Sequence, residues 1–314
     1  MTIFVAINPE AGGGRGRRQW PSIAACLEDR LGSFDHAFST SPGDITDLVA
    51  NAAQAGARLI IAVGGDGTVN EAINGFRDTG GGIRSDVAFS AIPVGTGVDF
   101  ARGVGLSSDP KTAAQRLAAG KSRSIDLGRV TFVDWDGARQ SRLFGNISSL
   151  GISGVIVNEI SNARQSTRLP GKVLYLLATL RALVRYQFQN VRISIDDLPD
   201  VDTQIAAIVI ANNRYFGGGM LVAPDASVDD GLFDIVTIAG TSKLSLLNAL
   251  RLVYSGKHLQ HPAVDIQRGK IITVEGVDAP SSNPVLLDVD GEAPGHLAAT
   301  FEIIPSALTL RGIE

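Results

Sequence analysis

Two periodicities divide the chain. Through the first third, unbroken apolar runs, IFVAIN at 3–8, ARLIIAV at 57–63 and DVAFSAIPV at 86–94, alternate with stretches of helical spacing. Such runs predict strands buried on both faces, with FDHAFST at 34–40 as another strand. DITDLVANAAQAG at 44–56 predicts an amphipathic helix opened by Asp44 and closed by Gly56. A further helix is expected from about Thr68 to Phe76. Strands alternating with helices predict a parallel sheet covered on both sides. After about Asp126 the pattern becomes strand-rich: RLFGNISSLGIS (142–153), QIAAIVIANN (204–213), LFDIVTIAG (232–240) and IITVEG (271–276). Two helical stretches interrupt it, PGKVLYLLATLRALVRYQF (170–188) and SLLNALRLVYSG (245–256). The chain is therefore read as an α/β domain over 1–126 followed by a mostly β domain over 127–299. The strand-like tail, 300–314, is expected to complete the first domain.

Composition narrows this picture. With 314 residues, 44% hydrophobic and 19% charged, the chain can bury a large core and is not of disordered type. Its single cysteine, Cys26, excludes an internal disulfide and points to a reducing, cytoplasmic setting; a helical, buried position is expected for it. A net charge of −4 gives no reason to expect nucleic acid as a partner. MTIFVAINPE lacks the basic start of a signal peptide, and no uncharged apolar run approaches the length of a membrane span.

The candidate chemistry lies in two glycine turns. IIAVGGDGTVNE and FSAIPVGTGVDF each run from apolar strand through a glycine turn to Thr, with an acid three residues later: Thr68 with Glu71, and Thr96 with Asp99. That spacing predicts a capping box at each helix start. Turns at the carboxyl ends of parallel strands present free N–H groups and a helix dipole to an anion. No GxxxxGK[ST] or GxGxxG occurs. Asp66, set among Gly64, Gly65 and Gly67 in an expected surface turn, would repel a bare triphosphate unless Mg²⁺ stood between them or it held another part of the nucleotide.

These residues carry a resemblance. GGDGTVNE (64–71), preceded by INPEAGGG (7–14) and followed by PVGTGVDFAR (93–102), is similar to the diacylglycerol kinase catalytic domain shared by bacterial soluble lipid kinases, sphingosine kinases and ceramide kinases. The similarity continues through ANNRYFGGGMLVAPDASVDDGLFDI (211–235), YSGKH, LLDVDGEAPG and FEIIPSALTL. It implies an NAD-kinase-like α/β nucleotide domain and a C-terminal β-sandwich, with ATP and a lipid meeting in the cleft between them. By matching motif, Gly64, Gly65, Asp66, Gly67, Thr68, Val69, Asn70, Thr96 and Thr40 would contact ATP, and Glu292 would be the general base. A structural Mg²⁺ loop would use the Asp230 side chain with the Ser227 and Leu232 carbonyls. One departure stands out: Val98 occupies the place of the family's usual Asn.

Residue chemistry supports parts of this independently. In DVDGEAP, Asp288, Asp290 and Glu292 alternate, so an extended segment would place all three on one face, where repulsion raises the proton affinity of at least one. His36, His258, His261 and His296 show no metal-ligand spacing. From Glu159 to Asp196 the chain has no acid between them but carries Arg164, Arg168, Lys172, Arg181, Arg185 and Arg192, a charge asymmetry that predicts peripheral contact with anionic membrane. The resemblance is compatible with a homodimer. Two other readings compete with a lipid kinase: an NAD-kinase-like enzyme of small molecules, and a nucleotide- or lipid-binding protein without catalysis.

Overall fold

The apolar runs of the first third form a parallel sheet. A computed structural model of the chain describes residues 2–78, 80–95, 98–164, 171–277 and 284–314. In chain order the first domain contains β1 (Ile3–Ile7), α1 (Ala11–Leu31), β2 (Asp35–Phe38), α2 (Asp44–Gln54), β3 (Leu59–Gly64), α3 (Asp66–Gly75), β4 (Ala88–Pro93), α4 (Asp99–Val104) and α5 (Pro110–Ala119). Strand order is β2-β1-β3-β4, all parallel. Successive side chains enter two cores: Ala6, Ile60, Ala62 and Phe89 pack toward α2 and α3, while Val5, Ile7, Ile61 and Val63 pack toward α1 and α5. Burial on both faces is why these strands read as continuous apolar runs.

The second part holds β5 (Ser122–Asp134), β6 (Arg139–Phe144), β7 (Ile147–Gly151), α6 (Ile152–Arg164), α7 (Gly171–Arg185), β8 (Gln189–Ile195), β9 (Val201–Ala211), β10 (Tyr215–Phe216), β11 (Met220–Leu221), β12 (Phe233–Ala239), α8 (Lys243–Leu252), β13 (Val264–Gly269), β14 (Ile271–Gly276), β15 (Leu287–Val289) and β16 (Gly295–Arg311). Antiparallel pairing dominates and encloses a core of Val130, Phe144, Leu150, Ile208, Phe233, Ile272, Leu287 and Phe301. Phe144 and Phe233 stack in it at 5.6 Å. Together the two parts give an α/β unit joined to a β-sandwich-like unit.

The second part is more helical than the sequence pattern suggests. RLFGNISSLGIS is not one strand: β6 stops at Phe144, β7 begins at Ile147, and Gly151, at φ 91°, turns the chain into α6. The apolar ISSLGISGVIV concealed that change. Cys26 is helical as expected but only half-buried.

β16 serves both domains. Its first part pairs with β14 and β5, and its end, Thr309 and Leu310, lies parallel to β4. The register shift between Ile304 and Leu308 redirects it, with Ser306 at φ 50°. Asp126, buried on β5, holds this crossing: its carboxylate accepts N–H bonds from Ser306 and Gly231, each at 2.7 Å. Among the described residues no helix is long and apolar enough to cross a membrane.

Removing that carboxylate leaves two N–H groups without a partner at a buried crossing. Asp126→Ala is expected to lower unfolding free energy by about 2–4 kcal/mol, with Asp126→Asn, which retains an acceptor, losing less. Denaturant unfolding of the two variants checks the order; equal, unchanged midpoints would refute it.

Candidate active site

The carboxyl ends of β1, β3 and β4 meet at one edge. Asn8, just after β1, donates from Nδ2 to Thr68 Oγ1 (3.1 Å), and Val94 N donates to Gly64 O (2.9 Å). Gly64 is required by contact, since a Cβ there would lie 2.2 Å from Thr68 Oγ1. Gly12, at φ 61°, likewise brings the loop after β1 against Val94 O, where a Cβ would stand at 2.6 Å. Beside this edge is a cleft of about 460 Å³ lined by Arg15, Gln19, Gly95, Val98 and Ser108 among others. Thr40 is exposed at the end of β2 on the same edge, and its N–H and hydroxyl both donate to Asp44. Asp44 thus organises the approach to α2 from the helix's first residue; Gly43 occupies the N-cap.

The expected capping box of Thr68 with Glu71 does not form. Helix α3 starts at Asp66, with Gly65 as N-cap, so Thr68 is already inside it. Glu71 instead accepts the N–H of Ile45 at the start of α2 (3.3 Å). The N-cap of α4 is Val98, which has no side-chain acceptor. Asp66 supplies it from the neighbouring turn: Oδ2 accepts Asp99 N (3.3 Å) and Oδ1 accepts Phe100 N (3.2 Å). Asp66 is therefore half-buried and structural as well as accessible, which corrects its expected place in a plain surface turn. Burial raises its proton affinity, and the charge of Asp99 adds to this. Asp99 accepts Gly218 N (2.6 Å) and faces Arg102, whose guanidinium lies 5.1 Å from the Tyr215 ring centroid. Thr68, Val69 and Asn70 are buried, Val69 within the apolar core, so only Gly65, Asp66 and Gly67 of this turn are open to a ligand by side chain or surface. Thr96 lies outside the described residues.

The second domain brings a group of acids against α3. Asp288, Asp290 and Glu292 do not share a face. β15 ends at Val289, and Asp290 (φ 48°) and Gly291 (φ 89°) form a turn in which Val289 N and Glu292 O pair at 2.8 Å. Asp290 accepts four bonds, from Asn70 Nδ2 (2.8 Å), Gly145 N (3.1 Å), Asn146 N (3.2 Å) and Ile147 N (2.9 Å). Burial lifts its pKa to about 6 against those bonds, with the Asp66 charge contributing. Glu292 Oε2 accepts from Arg142 on β6 (2.6 Å). Asn70 and Asn74, one turn apart on α3, both donate to Leu143 O, and Leu143 N donates back to Asn74 Oδ1 (2.9 Å). Arg142 and Asn74 were missed in the sequence; an isolated arginine 150 positions from its partner leaves no local signal.

Two family models cover the chain. The diacylglycerol kinase catalytic domain matches residues 2–130, and the YegS C-terminal NAD kinase beta sandwich-like domain matches residues 147–312. The chain belongs to this diacylglycerol kinase family. Relatives named diacylglycerol kinase include one from Mycobacterium tuberculosis, 29% identical over 98% of this chain and 93% of its own length. Another, from Staphylococcus saprophyticus, is 28% identical over 95% and 90%. A crystal structure of a diacylglycerol kinase from Bacillus anthracis superposes with a TM-score of 0.71 at 22% identity, covering 98% of this chain and 96% of that one. Yeast NADH kinase complexed with NADH gives 0.53 at 11%, covering 99% and 82%. Both likenesses concern the fold.

Membership in a kinase family implies a phosphate donor of the ATP type and a divalent cation. The expected Mg²⁺ loop fits a cation poorly as folded, since its one side-chain ligand, Asp230, is held by Arg268, which also reaches Asp234. A guanidinium already supplies the positive charge there. Among the described residues no cluster of three or more His, Cys, Asp or Glu side chains forms a metal cage. Asp66, half-buried in the glycine turn, is the acid placed to meet a cation carried by nucleotide phosphates, which commonly takes only one or two protein carboxylates; both oxygens of Asp290 are already taken by N–H donors.

Asp288 is fully buried, accepting Gly291 N (2.8 Å) and the Ser149 hydroxyl (3.2 Å), and burial raises its pKa to about 8. The folded protein keeps this proton between about pH 4 and 8 while the unfolded chain has released it, so the group's contribution to stability falls as pH rises through that window. Asp288→Asn is expected to flatten the dependence of melting temperature on pH between 4 and 8. Identical slopes for parent and variant would refute the assignment.

Proposed function

We propose that this kinase transfers the γ-phosphoryl group of ATP to a lipid hydroxyl, with diacylglycerol as the leading acceptor and phosphatidic acid as product. The observation that carries the reading is the meeting of the Asp66 turn with the Asp290–Glu292 turn across Asn70. Donor phosphates at the nucleotide turn of one domain and an acceptor hydroxyl at the acid of the other would meet at this junction. The relatives' names favour a diacylglycerol acceptor.

The chain's own groups divide the work. N–H groups around Gly65–Gly67 and the dipole of α3 attract the phosphates. Glu292 Oε2 is fixed by Arg142, while among the described residues Oε1 has no hydrogen-bond partner. As the lipid oxygen bonds to the γ-phosphorus and the bond to the ADP oxygen breaks, Oε1 takes the hydroxyl proton. Mg²⁺ held by the phosphates, with Asp66 nearby, would neutralise charge on the transferred group. Asp66 also fixes α4, so its substitution acts on geometry as well as charge.

Radiolabelled ATP with a panel of extracted lipids, separated by chromatography, tests the reading; no labelled lipid would refute it. In that assay Glu292→Gln should lower kcat by about a hundredfold, the usual scale for loss of a general base, with ATP affinity unchanged. Weakened ATP binding of similar size would move Glu292 to the nucleotide site. Asp66→Asn should abolish transfer while circular dichroism stays native. Near-parent turnover would remove Asp66 from the site.

A further inference from the structure

The sandwich domain presents an apolar face that its own core does not use. On α7, Leu174, Ala178 and Ala182 are buried, whereas Leu177, Leu180 and Val184 point outward, Val184 at 72% exposure. On α8, Leu246 and Ala249 are buried, whereas Leu247 and Leu244 are outward, Leu244 at 81%. The helices meet where Lys243 Nζ donates to Val184 O, which sets Leu244 near Val184. Tyr254, 58% exposed, follows α8. Five large aliphatic side chains on two adjoining helices form a patch that a solvated surface does not need.

The charge around it has one sign. Arg181 and Arg185 lie on the outer side of α7, and Lys243, Arg251 and Lys257 on or beside α8, all exposed. No ion pair forms with any of them among the described residues. Residues 160–195 and 235–264 contain no Asp or Glu, although the chain has 32 acids in 314 residues. These two acid-free stretches supply α7 and α8. Of the six bases expected to act from 160–195, Arg192 is excluded, since Asp202 pairs with it at 2.7 Å. Arg168 lies outside the described residues, and the Arg164 and Lys172 side chains are not described.

We propose that the paired outer faces of α7 and α8 dock the enzyme on a bilayer rich in anionic lipid, with Val184 and Leu244 entering the interface and Arg181, Arg185 and Lys243 meeting head groups. The proposal rests on the lipid-acceptor reading, since it explains how a chain whose described helices do not span a membrane reaches a substrate held in a bilayer. Apolar insertion beside basic residues is the physical basis of such reversible docking. Packed elements join the face to the strand that carries the acids: α7 packs on α6, and α6 packs on β15, Gly154 lying so close to Leu286, just before that strand, that a Cβ would stand 2.4 Å from its carbonyl oxygen.

The test is sedimentation with vesicles of phosphatidylglycerol and phosphatidylcholine, using Val184→Glu/Leu244→Glu and, separately, Arg181→Gln/Arg185→Gln. All four side chains are exposed, so folding should persist. Parent binding should fall with added salt, because head-group attraction is screened over about 8–10 Å near physiological ionic strength. Each variant should bind on the order of tenfold more weakly, the scale of losing one or two interfacial contacts. Transfer to a short-chain lipid dispersed in detergent should match the parent. If the parent transfers phosphate in detergent but binds no anionic vesicle, or the variants bind as the parent does, the docking face is wrong while the lipid-kinase reading stands. A parent dimer lost in both variants without vesicle binding would assign the face to a second copy and overturn the proposal. Vesicle binding that behaves as described supports the face, and failure of detergent transfer by the parent would then fall on the functional reading alone.

Discussion

The carboxylate of Asp290 is the constraint on which the junction between the domains depends. Strand β6 ends at Phe144 and β7 begins at Ile147, and the break leaves the N–H groups of residues 145–147 pointing away from any ladder. Asp290 takes all three, and its fourth bond comes from Asn70 of the other domain. Buried amides without an acceptor are costly, so the turn at 290–291 and the interruption at 145–146 need each other. Because Asn70 joins the same carboxylate, closing the sandwich also fixes it to α3. The neighbours inherit that geometry: Arg142 is two residues before Phe144, and Glu292 two residues after Asp290. Their ion pair is therefore located by the knot more than by its own attraction, which at partial exposure is modest.

A second constraint keeps the two domains at a fixed separation. β5 and β16 run through both domains as paired strands, and the bulge at Ser306 lets β16 leave the sandwich and lie beside β4. A connection by a single loop would allow the domains to rock freely. Two strands pinned at Asp126, together with Asn70 and Asn74 on Leu143, restrict that freedom at both ends of the junction. The junction is thus built by ladders and buried polar bonds.

The strands of the first domain were legible because burial on both faces writes a continuous apolar run that little else produces. The glycine turns were legible because Gly64 and Gly12 answer to close contacts that only a missing side chain permits. Pairings were harder. Thr68 and Glu71 have capping-box spacing, yet Thr68 binds Asn8 and Glu71 caps α2, since tertiary partners offered better geometry than the local ones. The alternation in DVDGE pointed to an extended segment, but Asp290 and Gly291 adopt left-handed conformations and turn the three acids in different directions. Helix α6 was hidden because its apolar start continues the composition of β7. Arg142, Asn74 and Asp126 act across separations of 69 to 180 residues, where no spacing rule operates.

Val98 shows how one departure from a family pattern is absorbed. At the N-cap of α4 an Asn would offer its own side-chain oxygen to the first free N–H groups, and a valine cannot. Here both oxygens of Asp66 reach those groups from the adjacent turn, so the helix is capped without a local cap. The same carboxylate stands close enough to Asp290 to raise its proton affinity. Asp66 therefore connects two things that are separate in the sequence: the start of α4, which lines the cleft beside β4, and the acid that ties the domains together. Any cation entering with a nucleotide would meet Asp66 already oriented by α4. That orientation, rather than the charge alone, distinguishes it from the exposed acids of the chain.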